Sequence, residues 1–139
     1  MNLRFLLDTN ILSESVRQLP SQNMIEKLQQ YEGEITTSTT IWHELVFGCS
    51  RLLSSQKRIF LERYLYQVIR PTIPILPYDI EAAIWRGIER ARLMSIGKIP
   101  AFPDGQIAAV TKVNGLILVT NNVSDYRDFL DLQKENWLE

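Results

Sequence analysis

Four acidic residues in this sequence stand where a structural role does not fully explain them. Asp8 directly follows the first apolar run of the chain, and Asp125 comes shortly after the last long one. Glu44 interrupts an apolar helical stretch, and Asp104 follows a proline at the expected start of a helix. In a parallel α/β sheet, residues just after strands lie at the carboxyl edge, where ligands bind. We therefore expect the four carboxylates to converge at one edge of a sheet.

Such a carboxylate cluster needs a cation, because like charges held close together raise one another's pKa. The chain has a single cysteine, Cys49, and a single histidine, His43, so a zinc site of the usual cysteine and histidine type is excluded. An all-oxygen ligand set favours Mg²⁺ or Mn²⁺. A metal held in this way suits phosphoryl chemistry, since it activates water and offsets charge on the leaving oxygen.

Each acid also has a structural interpretation. Asp8 and Asp104 could cap helices, because aspartate is favoured at the N-cap. Glu44 could face solvent, and Asp125 could be an ordinary loop residue. Taken singly, each residue fits the structural interpretation better, so the functional hypothesis depends on all four occurring together.

Length and composition indicate one ordinary globular domain. The chain has 139 residues, of which 45% are hydrophobic and 22% charged, and we expect a single domain over residues 1–139. The net charge of -1 means that any nucleic-acid contact must come from a local basic rim. With one cysteine, no signal-peptide pattern and no apolar segment of membrane-spanning length, we expect a cytoplasmic protein.

Predicted strands and helices alternate along the chain. Strands are expected at residues 4–7, 35–37, 75–76, 116–119 and within 130–138. Helices are expected at residues 11–16, 24–31, 40–52, 57–68, 79–95 and 103–111. The strongest strands are continuous apolar runs, which is typical of a sheet buried on both faces. The pattern predicts an α/β domain with a central, mainly parallel sheet between helical layers.

Four segments resemble, in order, the motifs of PIN-domain ribonucleases. They are LLDTN at 6–10, TTIWHELVFG at 39–48, PDGQIAA at 103–109 and LVTNN at 118–122, the last followed by Asp125. The segments ILPYD at 75–79 and ENW at 135–137 resemble the branch of VapC-type bacterial toxins. The resemblance covers essentially the whole chain. It implies a PIN-like α/β/α sandwich and a metal-dependent endoribonuclease.

The resemblance also implies roles for individual residues. The acids that match the family's Mg²⁺- or Mn²⁺-binding quartet are Asp8, Glu44, Asp104 and Asp125. Thr120 matches a hydroxyl residue that supports this quartet, and Asn10 matches a polar residue that positions Asp8 or substrate. Tyr126 stands where phenylalanine is commoner, and Asn121 stands where arginine is frequent. The missing arginine could alter contacts with RNA rather than metal binding.

Basic and aromatic residues outside the quartet leave two interpretations open. Arg86 and Arg90 share a helix face and could contact RNA phosphates, or form a solvated face with ion pairs to Glu81 or Glu89. A second basic group could line an RNA channel, although an ordinary charged surface is the simpler interpretation. This group comprises Arg51, Lys57, Arg58 and Arg63. The aromatics expected to build the core or a subunit interface, rather than to stack bases, are Trp42, Phe47, Phe60, Tyr64 and Trp85.

By resemblance, we expect a homodimer that is inhibited by an antitoxin whose C-terminal segment covers the site. The expected substrate is structured RNA with an accessible single-stranded loop, whose bases can be splayed out. Two other functions stay open: a PIN nuclease of RNA processing without an antitoxin, and a non-catalytic binding module. The intact acidic motifs argue against the binding module. A phosphorylatable aspartate site of the response-regulator kind lacks a convincing lysine partner.

Overall fold

A five-stranded parallel sheet forms the centre of the computed structural model, which describes residues 2–138. Its strands are β1 (Phe5–Leu7), β2 (Ile35–Ser38), β3 (Ile75–Leu76), β4 (Ile117–Val119) and β5 (Lys134–Glu135). The strand order is β3-β2-β1-β4-β5, and every neighbouring pair is parallel. The predicted parallel α/β architecture is confirmed, and the sheet is entirely rather than mainly parallel.

Seven α-helices within the described part of the chain flank this sheet. They are α1 (Thr9–Glu14), α2 (Gln22–Gln30), α3 (Thr39–Ser50), α4 (Gln56–Arg63), α5 (Arg70–Thr72), α6 (Ile80–Ser95) and α7 (Phe102–Val113). Within residues 2–138, no helix is both long and apolar enough to cross a membrane.

The helix expected over residues 57–68 differs from the prediction in its second half. Its first part is α4, but Tyr64–Ile69 forms a π-helix that leads directly into α5. Pro71 follows at the start of α5, and proline has no N–H to continue an α-helical ladder. The wider π turns therefore lie immediately before the residue that interrupts regular α-helical bonding.

The central position of β1 explains its sequence. Phe5, Leu6 and Leu7 are all buried, as are Leu118 and Val119 in the neighbouring strand β4. A strand covered by helices on both faces has no solvent-facing side, and its sequence shows no polar alternation.

The register between β1 and β4 places the next residues of both strands side by side. Leu7 pairs with Val119, and the backbone N–H of Asp8 donates to the Val119 carbonyl at 2.9 Å. Asp8 and Thr120 therefore leave the sheet together at its carboxyl edge. Strand β2 ends at the same edge, where Ser38 caps α3 by accepting from the Ile41 N–H. This edge is where the candidate site is built.

A partly buried ion pair fastens α6 to the segment after the 3₁₀ turn Val123–Tyr126. The Glu89 carboxylate accepts two bonds from the Arg92 guanidinium, at 2.7 and 2.9 Å, and one from the Leu130 N–H at 2.7 Å. The sequence allowed Glu89 to pair with Arg86 or Arg90, whereas in the structure it pairs with Arg92. These hydrogen bonds to Arg92 hold the pKa of Glu89 below its usual range.

Replacing Glu89 by glutamine is expected to destabilise the fold by about 2 kcal/mol at neutral pH, because hydrogen bonds to charged groups are lost. A depressed pKa stabilises the folded state above the unfolded pKa, near 4.3, and this contribution is lost as pH falls through the lower folded value. The difference between wild type and E89Q in urea unfolding should therefore shrink towards about pH 3. Glu26→Gln, at an exposed position of α2, is the matched control and should change stability by less than about 0.5 kcal/mol. An equal E89Q effect at both pH values would contradict this account.

Candidate active site

All four acidic residues line one cleft of about 270 Å³ at the carboxyl edge of the sheet. Asp8 follows β1, Glu44 lies on α3, Asp104 lies on α7, and Asp125 lies on the 3₁₀ turn Val123–Tyr126. The remaining residues around the cleft are Thr9, Asn10, Ile107, Asn122 and Tyr126. Residues that are far apart in sequence thus meet where the strand ends were expected to place them.

Asp8 is both a helix cap and the most buried acid of the cleft. One carboxylate oxygen accepts from the Thr9 N–H at 2.7 Å as the N-cap of α1, and the other accepts from the Thr120 hydroxyl at 2.8 Å. Burial nevertheless raises the pKa of Asp8 above its ordinary value. The capping interpretation and the site interpretation therefore hold for the same residue, since capping uses only one of the two oxygens.

Glu44 is fixed in the cleft by a neighbour that the sequence analysis did not single out. The Thr9 hydroxyl donates to Glu44 Oε2 at 2.7 Å. Thr9 therefore joins α1 to α3 and orients one carboxylate, while its backbone N–H binds Asp8. Glu44 is half-buried, so the interpretation as a solvent-facing surface residue is wrong. The position of Thr9 directly after Asp8 was the only sequence signal for this role.

Asp104 lies in the first turn of α7, but it is not the N-cap. Ala101 occupies the cap position without a side-chain bond, so the capping interpretation of Asp104 is wrong. Burial, and then the charges of Asp125, Asp8 and Glu44, raise the pKa of Asp104 to about 6. The cleft is thus a place where a negative charge is unfavourable in the absence of a cation.

Tyr126 is a second residue whose role was missed. Its ring is buried, and its hydroxyl donates to Asp104 Oδ1 at 3.3 Å and also favours the ionised form of Asp8. Burial and the neighbouring carboxylates raise the pKa of Tyr126 above its ordinary value, so it stays a neutral donor. The sequence signal was tyrosine where phenylalanine is commoner, because the difference between them is this hydroxyl.

Thr120 and Asn10 connect the cleft to the loop after β4. The Thr120 hydroxyl donates to Asp8 and accepts from the Asn122 N–H at 3.0 Å. Asn10 Oδ1 accepts from the Asn121 N–H at 3.0 Å. Both side chains hold the loop that leads to Asp125 against the start of α1.

The profile of the PIN-domain family matches residues 5–129 of this chain. The chain belongs to the PIN-domain family. The domain is 30% identical over 137 residues to the tRNA(fMet)-specific endonuclease VapC of Shigella flexneri, and the match covers 97% of this chain and 98% of that protein. It is 32% identical over 124 residues to the toxin FitB of Neisseria gonorrhoeae, with coverage of 87% and 89%.

Solved structures resemble this PIN domain along nearly its whole length. The FitAcB structure from Neisseria gonorrhoeae matches with a TM-score of 0.86 and 30% identity, covering 95% of this chain and 96% of that one. The DNA-bound VapBC structure from Salmonella typhimurium matches with a TM-score of 0.84 and 26% identity, covering 97% and 98%. The expected α/β/α sandwich is confirmed.

The donor set of this PIN domain fits a hard divalent cation. Within residues 2–138, no group of three or more histidine, cysteine, aspartate or glutamate side chains already has the spacing of a metal site. The cleft nonetheless offers only oxygen ligands, which Mg²⁺ and Mn²⁺ prefer. Burial, and then repulsion from the neighbouring carboxylates, raises the pKa of Asp104, and a bound cation would favour the ionised carboxylate again.

The two arginines that were expected to share a helix face both lie beside Phe102, but they differ in burial. Arg86 is buried against α7, so closely that a Cβ added to Gly105 would lie 1.9 Å from Arg86 Nε, whereas Arg90 is exposed. Both guanidinium groups lie 5.7 Å from the centre of the Phe102 ring. Burial lowers the pKa of Arg86, and its Nε and Nη1 have no hydrogen-bond partner among the described residues. In this conformation Arg90 is the member of the pair that is accessible to solvent.

Proposed function

We propose that this PIN domain is a Mg²⁺- or Mn²⁺-dependent endoribonuclease that acts as the toxin of a toxin–antitoxin pair. The observation that carries the proposal is the convergence of Asp8, Glu44, Asp104 and Asp125 at one cleft. Relatives with the same domain are named as an endonuclease VapC and a toxin FitB. We place the reaction in the cytoplasm, on RNA with an accessible single-stranded loop.

In this proposal the four carboxylates hold the cation, and their neighbours fix the direction of the ligand oxygens. The bound cation supplies activation of water for attack on the phosphodiester and offsets charge on the leaving oxygen. Thr9 and Thr120 hold Asp8, and the Thr9 hydroxyl holds Glu44. Such outer hydrogen bonds orient the ligands, and their loss typically weakens metal affinity.

This domain has an apolar groove beside the acidic cleft, where we propose that the antitoxin binds. A groove of about 490 Å³ runs between α1, α3 and α4, with apolar walls that include Val16, Leu45 and Phe60. Thr9 and Glu44 line both this groove and the acidic cleft. An antitoxin segment lying in the groove would therefore reach the carboxylates, where an arginine could bind them.

The proposed homodimer has a candidate surface on α6. Ile80, Ile84 and Ile88 recur at helical spacing, and their exposed fractions are 70%, 50% and 69%. A continuous row of exposed isoleucines is typical of a subunit interface.

For RNA, we propose contact through Arg90, and through Arg86 only if its guanidinium leaves its buried position.

The test is cleavage of end-labelled total RNA by purified protein with Mg²⁺ or Mn²⁺, beside EDTA and the Asp8→Asn variant. Metal-dependent cuts that disappear with Asp8→Asn are the expected result. Asp131→Asn is the control, because Asp131 is exposed and has a positive φ of 55°, which asparagine tolerates. No cleavage with either metal, by folded protein free of antitoxin, would favour the binding-module function.

A small antitoxin gene immediately upstream would distinguish a toxin from an RNA-processing nuclease without an antitoxin.

A further inference from the structure

A second cleft, of about 490 Å³, adjoins the acidic cleft and shares Glu44 with it. We call it the side cleft; it is lined chiefly by Thr40, His43, Phe47, Tyr78 and Gln106. The proposed nuclease reaction does not use these residues. The side cleft is distinct from the apolar groove proposed for the antitoxin, because Glu44 is the one lining residue that both have in common.

One face of α3 builds most of the side cleft. Thr40, His43, Glu44 and Phe47 follow the spacing i, i+3, i+4 and i+7, which places them on a single helix face. On the other wall, Gln106 follows Asp104 by two residues in α7. A chain lying along this face of α3 would therefore pass directly from the side cleft to the carboxylates.

The walls of the side cleft carry polar groups that are already oriented. The Thr40 hydroxyl donates to Gln106 Oε1 at 3.2 Å. This bond turns the amide so that the Gln106 Nε2 hydrogens are available as donors, while the Thr40 oxygen keeps its acceptor capacity. A paired donor and acceptor at fixed positions is what is needed to distinguish the hydrogen-bonding edges of nucleobases.

Phe47 provides an aromatic surface at the end of the side cleft. It was expected to build the core or a subunit interface, and its exposed fraction of 60% excludes the core. The Arg51 guanidinium lies 5.8 Å from the centre of the Phe47 ring. An exposed ring beside a cation combines base stacking with phosphate contact, which is the combination used in single-stranded nucleic-acid binding.

We propose that the side cleft binds an unpaired nucleobase of RNA next to the bond that is cut. Thr40 and Gln106 read the edge of this base, Phe47 packs against it, and Arg51 contacts a neighbouring phosphate. The proposal rests on the proposed nuclease function and adds the residues that set its sequence preference. A nucleobase fits better than a peptide, because the cleft joins a planar ring, a fixed amide and a cation beside a site for phosphodiesters.

The test is enrichment from a random single-stranded RNA pool of about ten nucleotides by the purified full chain in EDTA at low salt. Wild-type protein should enrich one base at one position. Gln106→Met and Thr40→Val should each reduce that enrichment and leave the thermal midpoint close to wild type. Phe47→Ala should weaken binding of the whole pool by about 5- to 100-fold, which is the usual effect of losing one stacked base.

Two variants outside the side cleft serve as matched controls. Phe60→Ala removes a phenylalanine of similar exposure, 56%, from the apolar groove, and Gln133→Met changes an exposed glutamine near β5. Both should keep the wild-type affinity and base preference. If both Gln106→Met and Thr40→Val retain the full base preference, the proposal is wrong. It is equally wrong if Phe47→Ala changes the oligomeric state in light scattering but not the affinity for RNA, because the surface then belongs to a second copy.

Binding in EDTA also separates this proposal from the proposed function. If the protein enriches a base through Gln106 but cuts no RNA with Mg²⁺ or Mn²⁺, the side-cleft proposal holds and the proposed nuclease function is wrong. If the protein cuts RNA and Gln106→Met leaves its base preference unchanged, the proposed nuclease function holds and the side-cleft proposal is wrong.

Discussion

Asp104→Asn is expected to remove nuclease activity while making the metal-free protein more stable. Loss of one charged ligand should cost about 3–4 kcal/mol of transition-state stabilisation, or roughly 200- to 1,000-fold in rate. The metal-free folded protein should meanwhile become more stable, because the substitution removes a carboxylate from a half-buried cleft that holds three other acids. A variant with opposite effects on activity and stability identifies a functional group rather than a structural one.

The sign of the stability effect follows from the pKa of Asp104, which rises to about 6 in the folded protein. An unfolded aspartate titrates near 3.9, so between about pH 4 and pH 6 the folded state binds more protons. Wild-type stability therefore falls as pH rises through that window. Asparagine carries no charge, so the variant does not undergo this loss of stability. We expect its free energy of unfolding at neutral pH to exceed that of wild type by about 1 kcal/mol, once solvent screening of the half-exposed group is included.

The measurement compares thermal midpoints of wild type and Asp104→Asn in EDTA and in Mg²⁺, beside RNA cleavage by the same preparations. In EDTA at neutral pH the variant should melt about 3 °C higher. Mg²⁺ should raise the midpoint of wild type and have little effect on the variant. Asp131→Asn, away from the cleft, should behave like wild type in every assay. A variant that keeps its activity, or that melts lower in EDTA, would contradict the role given to Asp104.

Trp137→Ala is expected to destabilise the domain by about 3–5 kcal/mol, a large part of the stability of a small domain. Trp137 is fully buried near the end of the chain. Its ring lies 5.0 Å from the Phe5 ring and 5.8 Å from the Tyr31 ring, between centroids. Its Nε1 donates to Glu135 Oε1 at 3.0 Å. Truncation therefore removes a large aromatic surface from one end of the sheet and leaves a cavity.

Urea unfolding should show this loss, with Trp137→Phe as the matched variant that keeps an aromatic ring. Trp137→Phe should cost clearly less than Trp137→Ala, because it keeps part of the contact with Phe5 and Tyr31. Under conditions in which both variants are folded, cleavage should be close to wild type, since Trp137 does not line the acidic cleft. A loss below about 1 kcal/mol for Trp137→Ala would show that the C-terminal segment is not part of the core.

The sequence by itself determined the order of strands and helices and the places where acids follow strands. These features are local, because an unbroken apolar run such as residues 116–119 specifies a buried strand wherever it lies in the sheet. Placing Asp8 directly after β1 then fixed its position at the carboxyl edge. The motif order added Glu44 and Asp104, which periodicity alone left as surface or cap residues.

Only the tertiary structure decided which neighbours surround those residues. Thr9 binds Glu44 across 35 positions of sequence, and the Tyr126 hydroxyl binds Asp104 across 22. The sequence marks Thr9 and Tyr126 but does not identify the residues that they contact, since side-chain hydrogen bonds between elements depend on how those elements pack.

The arginines of α6 show the same limit. The i, i+4 spacing put Arg86 and Arg90 on one face, but α7 covers Arg86 and leaves Arg90 exposed. Phe47 shows the converse, because it was expected in the core or at a subunit interface, and the structure excludes the core by leaving it at the surface. Periodicity defines the faces of a helix, whereas burial depends on which other element packs against each face, and that is a property of the whole fold.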